Sequence, residues 1–181
     1  MLSKKSLLKK SNLCVILDRQ ACGRRSLIKL AKAIKNKGVD IIQYRDTETP
    51  AGVVYKKALL LRKALRKSRA LFIINDYVDI ARATDADGVH LGQEDLPIKS
   101  ARRILGQNKI IGKSCHNLAQ AQRAQEEGAD YIGIGPVFAT PTKPQAKGIG
   151  LSVIQKVRKQ IKIPFFAIGG IDEDKIAKLK S

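Results

Sequence analysis

Several residue types that define protein classes are scarce in this 181-residue chain. Tryptophan is absent and aromatic residues make up only 4% of the sequence, which argues against a nucleic-acid binder built on base stacking. The cysteines, Cys14, Cys22 and Cys115, form no CxxC pair, so they indicate reduced thiols rather than a disulfide framework or a zinc site. No apolar run approaches the roughly 20 residues that cross a bilayer, and the basic start lacks the apolar core of a secretory signal. We therefore expect a cytoplasmic protein with no membrane partner.

Acidic residues are scarce at the N-terminal end of the chain. Residues 1–70 hold 19 Lys and Arg against 4 Asp and Glu, and they account for most of the net charge of +19. Along the predicted helix Val53–Ser68, the cations stand opposite an apolar stripe, which is typical of a solvated helix face. A basic surface can bind nucleic acid non-specifically, but no recognised binding motif accompanies the charge, so we predict no dedicated nucleic-acid role. Residues 1–12 are interpreted as a basic extension within one domain that spans residues 1–181.

Short apolar runs alternate with helical segments along the whole chain. The runs, interpreted as strands, are Leu13–Leu17, Asp40–Arg45, Leu71–Ile74, Val89–Leu91, Lys109–Cys115, Tyr131–Val137 and Pro164–Ile168. Strict alternation predicts a parallel α/β sheet covered by helices. The repeat of about 25 residues is close to that of a TIM-type (β/α)8 barrel, with an open doubly wound sheet as the alternative. Because the pattern ends after its seventh unit, we expect a barrel that lacks its eighth strand and helix and is truncated after helix 7.

Two carboxylates follow neighbouring predicted strands. Asp76 comes after the strand Leu71–Ile74, and Asp95 comes after the strand Val89–Leu91 and a short turn. The carboxyl ends of parallel strands open into one crevice, so both side chains are expected there, where paired carboxylates can hold Mg²⁺. The alternative is that Asp76 caps the next helix and that Asp95 begins the helix that opens at Pro97.

Further residues at predicted strand ends suit phosphate or diphosphate. They are Gln43 and Arg45 of the second strand, Thr140, Thr142 and Lys143 after the sixth, and Gly169 and Gly170 after the seventh. Amide, guanidinium, hydroxyl and ammonium groups, and backbone N–H groups at a helix N-terminus, all donate to phosphate oxygens. A plain turn with a surface Lys, and an ordinary glycine turn, are the alternatives for the last two groups. Polar residues follow strands two to seven, which favours the mouth of a closed barrel over an open sheet.

Six segments, in chain order, resemble the thiamine phosphate synthase family, within the superfamily that it shares with the TenI-like proteins. They are Gln43–Arg45 (QYR), Ile74–Asp76 (IND), Gly88–Asp95 (GVHLGQED), Ile110–His116 (IIGKSCH), Gly128–Lys143 (GADYIGIGPVFATPTK) and Ala167–Ile171 (AIGGI). Members of this family are eightfold barrels that join hydroxymethylpyrimidine diphosphate to hydroxyethylthiazole phosphate, giving thiamine phosphate and diphosphate. The resemblance implies these two small molecules as substrates and Mg²⁺ as the cofactor. A homo-oligomer is compatible with the sequence.

The resemblance also implies a role for each matching residue. Asp76 and Asp95 would bind Mg²⁺. The residues that would act in catalysis are Arg45, Ser114 and Lys143. The residues that would bind the pyrimidine diphosphate are Gln43, Arg45, Asn75, Ser114 and Lys143, and those that would bind the thiazole phosphate are Thr140, Thr142 and Gly170. The family reaction is dissociative: diphosphate leaves first, and the thiazole nitrogen captures the remaining pyrimidine-methyl cation.

The chain departs from the family pattern at one position on the second strand. The pattern Gln-x-Arg-x-Lys ends here in Thr47, so we expect weaker diphosphate binding or slower turnover, and Thr47→Lys is expected to raise catalytic efficiency.

Two alternative functions remain open. A TenI-like thiazole tautomerase carries its catalytic His where His116 stands, but needs no diphosphate-bound Mg²⁺. An inactive relative would only bind phosphate or nucleic acid. In the leading interpretation, His90 and His116 are structural.

Overall fold

A computed structural model describes residues 3–140 and 148–180, with side chains up to residue 176. The strands are β1 Cys14–Asp18, β2 Ile41–Arg45, β3 Leu71–Asn75, β4 Gly88–Leu91, β5 Ile110–Cys115, β6 Tyr131–Ile134 and β7 Phe165–Ala167. The helices are α1 Lys4–Leu8, α2 Arg19–Cys22, α3 Leu27–Ile34, α4 Ala51–Ala64, α5 Val78–Ala83, α6 Ile98–Leu105, α7 Leu118–Glu126, α8 Gly150–Gln160 and α9 Glu173–Lys180. Within these ranges, no helix is both long and apolar enough to span a membrane.

The strands form one parallel sheet whose spatial order follows the chain from β1 to β7. Each strand pairs with the next, so that Cys14 of β1 lies beside Ile41 of β2, and Ile132 of β6 lies beside Phe165 of β7. An order without reversal contains no switch point, so the doubly wound alternative is wrong and the TIM-type fold is confirmed. In the part of the chain that the structure describes, the barrel has seven strand–helix units and no pairing joins β7 to β1.

The sheet curls so that its two faces carry separate hydrophobic clusters. The inner cluster joins strands that are far apart in sequence: Ile41 of β2, Ile110 of β5 and Tyr131 of β6 are each at most 1% exposed. The larger outer cluster includes Phe72 and Ile111 and fills the layer between strands and helices. Because side chains alternate along a strand, most strands contribute to both clusters, and the inward residues nearest the carboxyl end line the barrel mouth.

Helix α1 packs at the amino-terminal end of the barrel. Leu8 is 2% exposed and joins the inner cluster. Lys4 and Lys5 form ion pairs with Asp87 and Asp130, each at 2.9 Å between Nζ and Oδ1. The sequence analysis assigned these residues to a basic extension and did not predict the helix, because a five-residue segment is too short to show a helical period.

Some bounds differ from those predicted, for reasons that can be identified. Strand β6 ends at Ile134 rather than at Val137, because Pro136 has no N–H to continue the ladder. Helix α4 ends at Ala64, before Lys67 adopts a φ of +69° that no right-handed helix accommodates. The short helix α2, which begins directly after β1, was not predicted.

Candidate active site

Polar residues from neighbouring strands meet at the carboxyl end of the barrel, where barrels of this class carry their active sites. Arg45 and Asn75 are the last residues of β2 and β3. His90 and Ser114 each lie one residue before the end of β4 and β5. Gln43 shares the inner face with Arg45, because alternate side chains of a strand point the same way. The structure therefore brings these predicted residues to one end of the molecule.

Asp95 lies close enough to Asp76 for its carboxyl group to influence the pKa of Asp76. Burial and the neighbouring Asp95 carboxyl group raise the pKa of Asp76 to about 7, against the opposing effects of Arg45 and Asn75. Carboxylates held together repel each other, and a bound cation relieves that repulsion. The expected convergence of these two side chains on one crevice is thus present in the geometry.

The backbone around both aspartates contradicts the helix-capping alternative. Helix α5 begins after Tyr77 and helix α6 after Pro97, and neither has a side-chain cap. Asp76 instead adopts a φ of +63°, and its N–H donates to a carbonyl of β4 at 2.8 Å. Asp95 accepts the N–H of Gly92 at 2.6 Å. The two carboxyl groups are therefore held by turns above neighbouring strands and not by helix ends.

This pair of carboxylates fits Mg²⁺ better than a metal that needs a complete protein cage. Mg²⁺ characteristically takes one or two protein carboxylates and completes its shell with water and substrate phosphate. Within the described residues, no group of three or more His, Cys, Asp and Glu side chains could hold a metal ion. Asp76 and Asp95 are thus a partial ligand set of the kind that a diphosphate would complete, and their metal-binding role stays a prediction.

Arg45 is held by an acidic partner that the sequence analysis did not single out. Its Nη1 lies 2.5 Å from Oδ2 of Asp18, which is only 7% exposed. Burial by itself would raise the pKa of Asp18, but hydrogen bonds from the N–H of Ala21 and from Arg45 outweigh it and hold the pKa below its usual value. Asp18 ends β1 as Arg45 ends β2, so the rule that found the other strand-end residues also finds Asp18.

A buried hydrogen-bond chain lies beneath the mouth of the barrel. Nδ1 of His90 is 3.0 Å from the Tyr131 hydroxyl, and Nε2 is 3.0 Å from Oγ of Ser114. Burial and the charge of Lys113 lower the pKa of His90 to about 4, so its ring is neutral at pH 7. From the sequence, His90 is expected to be structural, and its contact with Ser114 was not predicted.

The loop after β6 lies against the glycines that follow β7. The N–H of Phe138 donates to the carbonyl of Gly169 at 3.0 Å. A Cβ on Gly170 would stand 2.4 Å from the carbonyl oxygen of Ala139, and the φ of Gly170 is +64°. Both the close approach and the left-handed backbone therefore require glycine at this position. Gly170 joins two loops at the barrel mouth, which suits the anion-binding role that was predicted for it.

The remaining predicted residues occupy different settings. Thr140 is half-buried in the loop after β6, whereas Thr142 and Lys143 lie outside the described residues. Thr47 is exposed in the loop after β2. His116 is exposed just past β5, with Nδ1 at 2.5 Å from a backbone carbonyl beyond β6.

Known proteins share this sequence and this fold. The thiamine-phosphate synthase of Synechococcus sp. (strain WH7803) is 44% identical over 178 residues, which cover 98% of this chain and 50% of the relative. That of Pelotomaculum thermopropionicum is 46% identical over 158 residues, which cover 87% of this chain and 72% of the relative. A solved thiamine phosphate pyrophosphorylase from Pyrococcus furiosus superimposes with a TM-score of 0.85 at 39% identity, covering 96% of this chain and 82% of that one. The chain thus spans about half the length of the Synechococcus relative.

The family model described as thiamine monophosphate synthase matches residues 13–181. The match begins just before β1 and includes every strand and all six segments that carried the resemblance. The chain therefore belongs to the thiamine monophosphate synthase family.

Proposed function

We propose that this chain is a thiamine phosphate synthase, which condenses hydroxymethylpyrimidine diphosphate with hydroxyethylthiazole phosphate. The observation that carries the proposal is the position of Asp76 and Asp95 beside each other and beside Arg45 and Asn75, at the carboxyl ends of β2 to β4. A carboxylate pair for a cation and a guanidinium for a phosphate are the groups that a diphosphate substrate requires. The names of the relatives support the same activity.

In the proposed reaction, the bond between the pyrimidine methylene carbon and the diphosphate oxygen breaks first, and its electron pair leaves with the diphosphate. The lone pair of the thiazole nitrogen then forms the new carbon–nitrogen bond, so no proton needs to move. The task of the site is to stabilise the charge that grows on the leaving diphosphate. Arg45 would do so with charge-assisted hydrogen bonds, and Ser114 with a hydroxyl donor. Lys143, outside the described residues, would add a second cation.

When bound between Asp76 and Asp95, Mg²⁺ would neutralise further charge on the diphosphate. Asn75 hydrogen-bonds to Asp76 and would keep that carboxyl group in place. Metal ligands must be deprotonated, and the pKa of Asp76 is about 7 in the absence of a cation. Mg²⁺ affinity is therefore expected to rise as the pH increases through 7.

The phosphate of the second substrate is assigned to the opposite part of the barrel mouth. Thr140, Thr142 and Gly170 would receive it, the last through backbone N–H groups next to the start of α9. The packing of Gly170 against Ala139 supports this assignment, because it brings the loops after β6 and β7 together.

Replacement of Asp76 tests the proposal directly. Asp76→Ala should lower Mg²⁺-dependent release of diphosphate by on the order of 10²-fold or more, because the cation loses half of its protein ligands. Turnover with both substrates is measured across a Mg²⁺ titration, and circular dichroism checks the fold. The matched control is Asp79→Ala, an exposed carboxylate on α5, which should leave turnover unchanged. Full activity of Asp76→Ala would remove the metal assignment.

A TenI-like thiazole tautomerase is the second candidate, and the setting of His116 favours it. A carbonyl oxygen can only accept, so Nδ1 of His116 carries a proton, and Nε2 is the ring nitrogen that would act as the base. That reaction releases no diphosphate, so Mg²⁺-dependent diphosphate release separates the two candidates. Small-molecule substrates, the Mg²⁺ cofactor, a homo-oligomer and a cytoplasmic location stay predictions.

A further inference from the structure

Three side chains form a continuous hydrogen-bond chain from the barrel interior to its mouth. The chain runs from Tyr131 on β6 through His90 on β4 to Ser114 on β5. Tyr131 and His90 are 1% and 7% exposed, so both hydrogen bonds are buried. Ser114 is half-buried and stands at the end that faces the proposed diphosphate. The direction of the protons in this chain therefore decides what Ser114 can offer to a ligand.

The proton positions follow from two observations. Tyr131 is buried, and among the described residues its hydroxyl has one hydrogen-bond partner of normal length, Nδ1 of His90 at 3.0 Å. His90 is 7% exposed and both of its ring nitrogens contact neutral hydroxyl groups, so the ring is neutral and can donate from only one nitrogen. If Nδ1 carried the proton, the Tyr131 oxygen would accept it, and the hydroxyl proton of Tyr131 would have no acceptor at hydrogen-bond distance among the described residues. Only an Nε2–H ring lets Tyr131 donate to Nδ1 and leaves no donor unused.

We infer that His90 is a positioning residue: its Nε2–H donates to Oγ of Ser114, which turns the Ser114 hydroxyl proton outward as a donor to the diphosphate. The inference rests on the proposed function for the identity of the ligand. Both donors in the chain then point the same way, from Tyr131 to Ser114, and successive hydrogen bonds of one direction polarise each other. With the opposite tautomer, the Ser114 proton would point inward to His90, and the site would lose a donor where negative charge develops.

Two glycines provide the space that this arrangement needs. Gly112 pairs with His90 and Gly133 pairs with Ser114 in the sheet. A Cβ on Gly112 would stand 2.5 Å from Nδ1 of His90 and 2.3 Å from Cζ of Tyr131. A Cβ on Gly133 would stand 3.2 Å from Cε1 of His90. The imidazole ring thus fills a slot that β5 and β6 leave open, and the slot holds the ring between its two partners.

The tautomer can be measured without any substrate. The sequence has two histidines, so nitrogen-15 spectra of histidine-labelled protein contain two rings, and His116→Gln identifies the signals of His90. We expect a protonated Nε2 and an unprotonated Nδ1 at His90 at pH 7. Tyr131→Phe keeps the ring packing and removes the donor, so the Nδ1–H form should increase. A wild-type His90 with the proton on Nδ1, or on both nitrogens, would overturn the inference whatever the enzyme catalyses.

Kinetics then test whether His90 acts through Ser114. Tyr131→Phe is expected to lower kcat by about tenfold with little change in KM, because the lost donor serves the leaving diphosphate more than the bound substrate. In a Ser114→Ala background, Tyr131→Phe should have no further effect. Tyr55→Phe, on helix α4, is the matched control and should leave kcat unchanged in both backgrounds. If Tyr131→Phe lowers kcat by the same factor with and without Ser114, the inference that His90 acts through Ser114 is overturned. Absence of wild-type turnover would refute the proposed function, and the tautomer would still be decided by the spectra.

Discussion

Asp76 combines an unusual backbone with an unusual charge. Its φ of +63° lies in the left-handed region, which Asp and Asn tolerate better than most residues. Its carboxyl group meets Asp95, and burial with this neighbour raises its pKa to about 7. Such a residue weakens the metal-free fold at neutral pH, and residues of this kind concentrate at functional sites. Asp76 is therefore the position at which stability and the proposed Mg²⁺ site are most directly linked.

The stability of the metal-free protein should depend on pH through Asp76. Because its folded-state pKa of about 7 lies above the ordinary 3.8, the protonated carboxyl group stabilises the fold below pH 4, and this contribution is lost as the pH rises through 7. Asp76→Asn keeps the backbone preference and removes the titration. The stability advantage of the variant over wild type should grow by on the order of 1 kcal/mol between pH 4 and pH 8, allowing for partial solvent screening.

Thermal unfolding in the presence of a chelator measures this difference. Asp79→Asn alters an exposed carboxylate on α5, and the difference in stability between this variant and wild type should not grow between pH 4 and pH 8 as it does for Asp76→Asn. Added Mg²⁺ should flatten the pH dependence of wild type, since a bound cation favours the ionised carboxyl group. A constant gap between Asp76→Asn and wild type across this pH range would contradict the raised pKa.

Among the elements, strands β5 and β6 are notable for glycines at positions that face the barrel interior. Glycine weakens a strand, yet β5 has Gly112 and β6 has Gly133 on the inner face. The reason is the ring of His90, which crosses from β4 and occupies the space where two side chains would otherwise stand. From the sequence alone, these glycines are only small residues within apolar runs, because the side chain that explains them, His90, belongs to a third strand.

Gly112→Ala should destabilise the barrel by about 1–3 kcal/mol, because the new methyl group overlaps Tyr131 and His90 in a closely packed interior. Urea unfolding measures the effect. Gly52→Ala provides a control of opposite sign: Gly52 lies in α4 with open space around its Cβ position, so alanine should stabilise the helix by about 0.5–1 kcal/mol. Equal stability of Gly112→Ala and wild type would show that the slot is wider than described.

A contact between an aspartate and the backbone repeats at the amino-terminal end of the barrel. An aspartate directly precedes β2, β4 and β6, and each accepts backbone N–H groups at the start of the preceding strand. The pairs are Asp40 with Asn12 and Leu13, Asp87 with Phe72, and Asp130 with Ile111. Strand starts have N–H groups that the ladder does not use, and a carboxylate satisfies them with charge-assisted bonds. Successive pairs of strands are thus held by the same contact.

Asp87 offers the clearest test of this contact between an aspartate and the backbone. It is 6% exposed and binds the N–H of Phe72 at 2.9 Å, Arg62 at 3.2 Å and Lys4 at 2.9 Å. Asp87→Asn should cost about 2–3 kcal/mol in the free energy of unfolding, since charged hydrogen bonds are weakened at a buried site. Lys4→Ala, which removes only one half-buried ion-pair partner, should cost no more than about 1 kcal/mol. If urea unfolding shows the same loss of free energy of unfolding for both variants, the hydrogen bond from the Phe72 N–H to Asp87 contributes nothing to stability.

At the scale of the whole molecule, the net charge of +19 is not gathered into the active site. Many cations lie on helices outside the barrel, such as Lys56, Lys63 and Arg66 near α4, and all three are exposed. Several others are used in ion pairs with the aspartates of the amino-terminal end. A surface of this kind attracts polyanions at low salt without reading their sequence.

Binding of DNA to this surface should therefore fall steeply with salt. A protein that contacts several phosphates loses about 10³-fold or more in affinity between 50 and 200 mM salt, because condensed counterions are released on binding. Binding of diphosphate with Mg²⁺ should weaken far less, since its ligands lie in one partly buried crevice. Fluorescence anisotropy with two unrelated DNA sequences, and calorimetry with diphosphate, measure the two slopes. Tight DNA binding that persists at 200 mM salt would favour the inactive nucleic-acid-binding relative.

The sequence by itself determined the order of the seven strands and of the helices between them, but not the short helices α1 and α2. Seven apolar runs between helical periods required a parallel sheet with helices outside it, and the polar residues after each run required a site at the carboxyl ends. Arg45, Asn75, Asp76, Asp95 and Ser114 were all found in this way, because position at a strand end is a local property. The family resemblance then connected these residues with a diphosphate substrate.

Only the tertiary structure decided which side chains touch. The curl and stagger of the sheet place His90 of β4 between Tyr131 of β6 and Ser114 of β5. They also pair Arg45 with Asp18, and Lys4 with Asp87. Such contacts depend on register and curvature, which are properties of the whole sheet. The chain therefore encodes the residues of the site locally, and their directions and charges only through the curled geometry of the whole sheet.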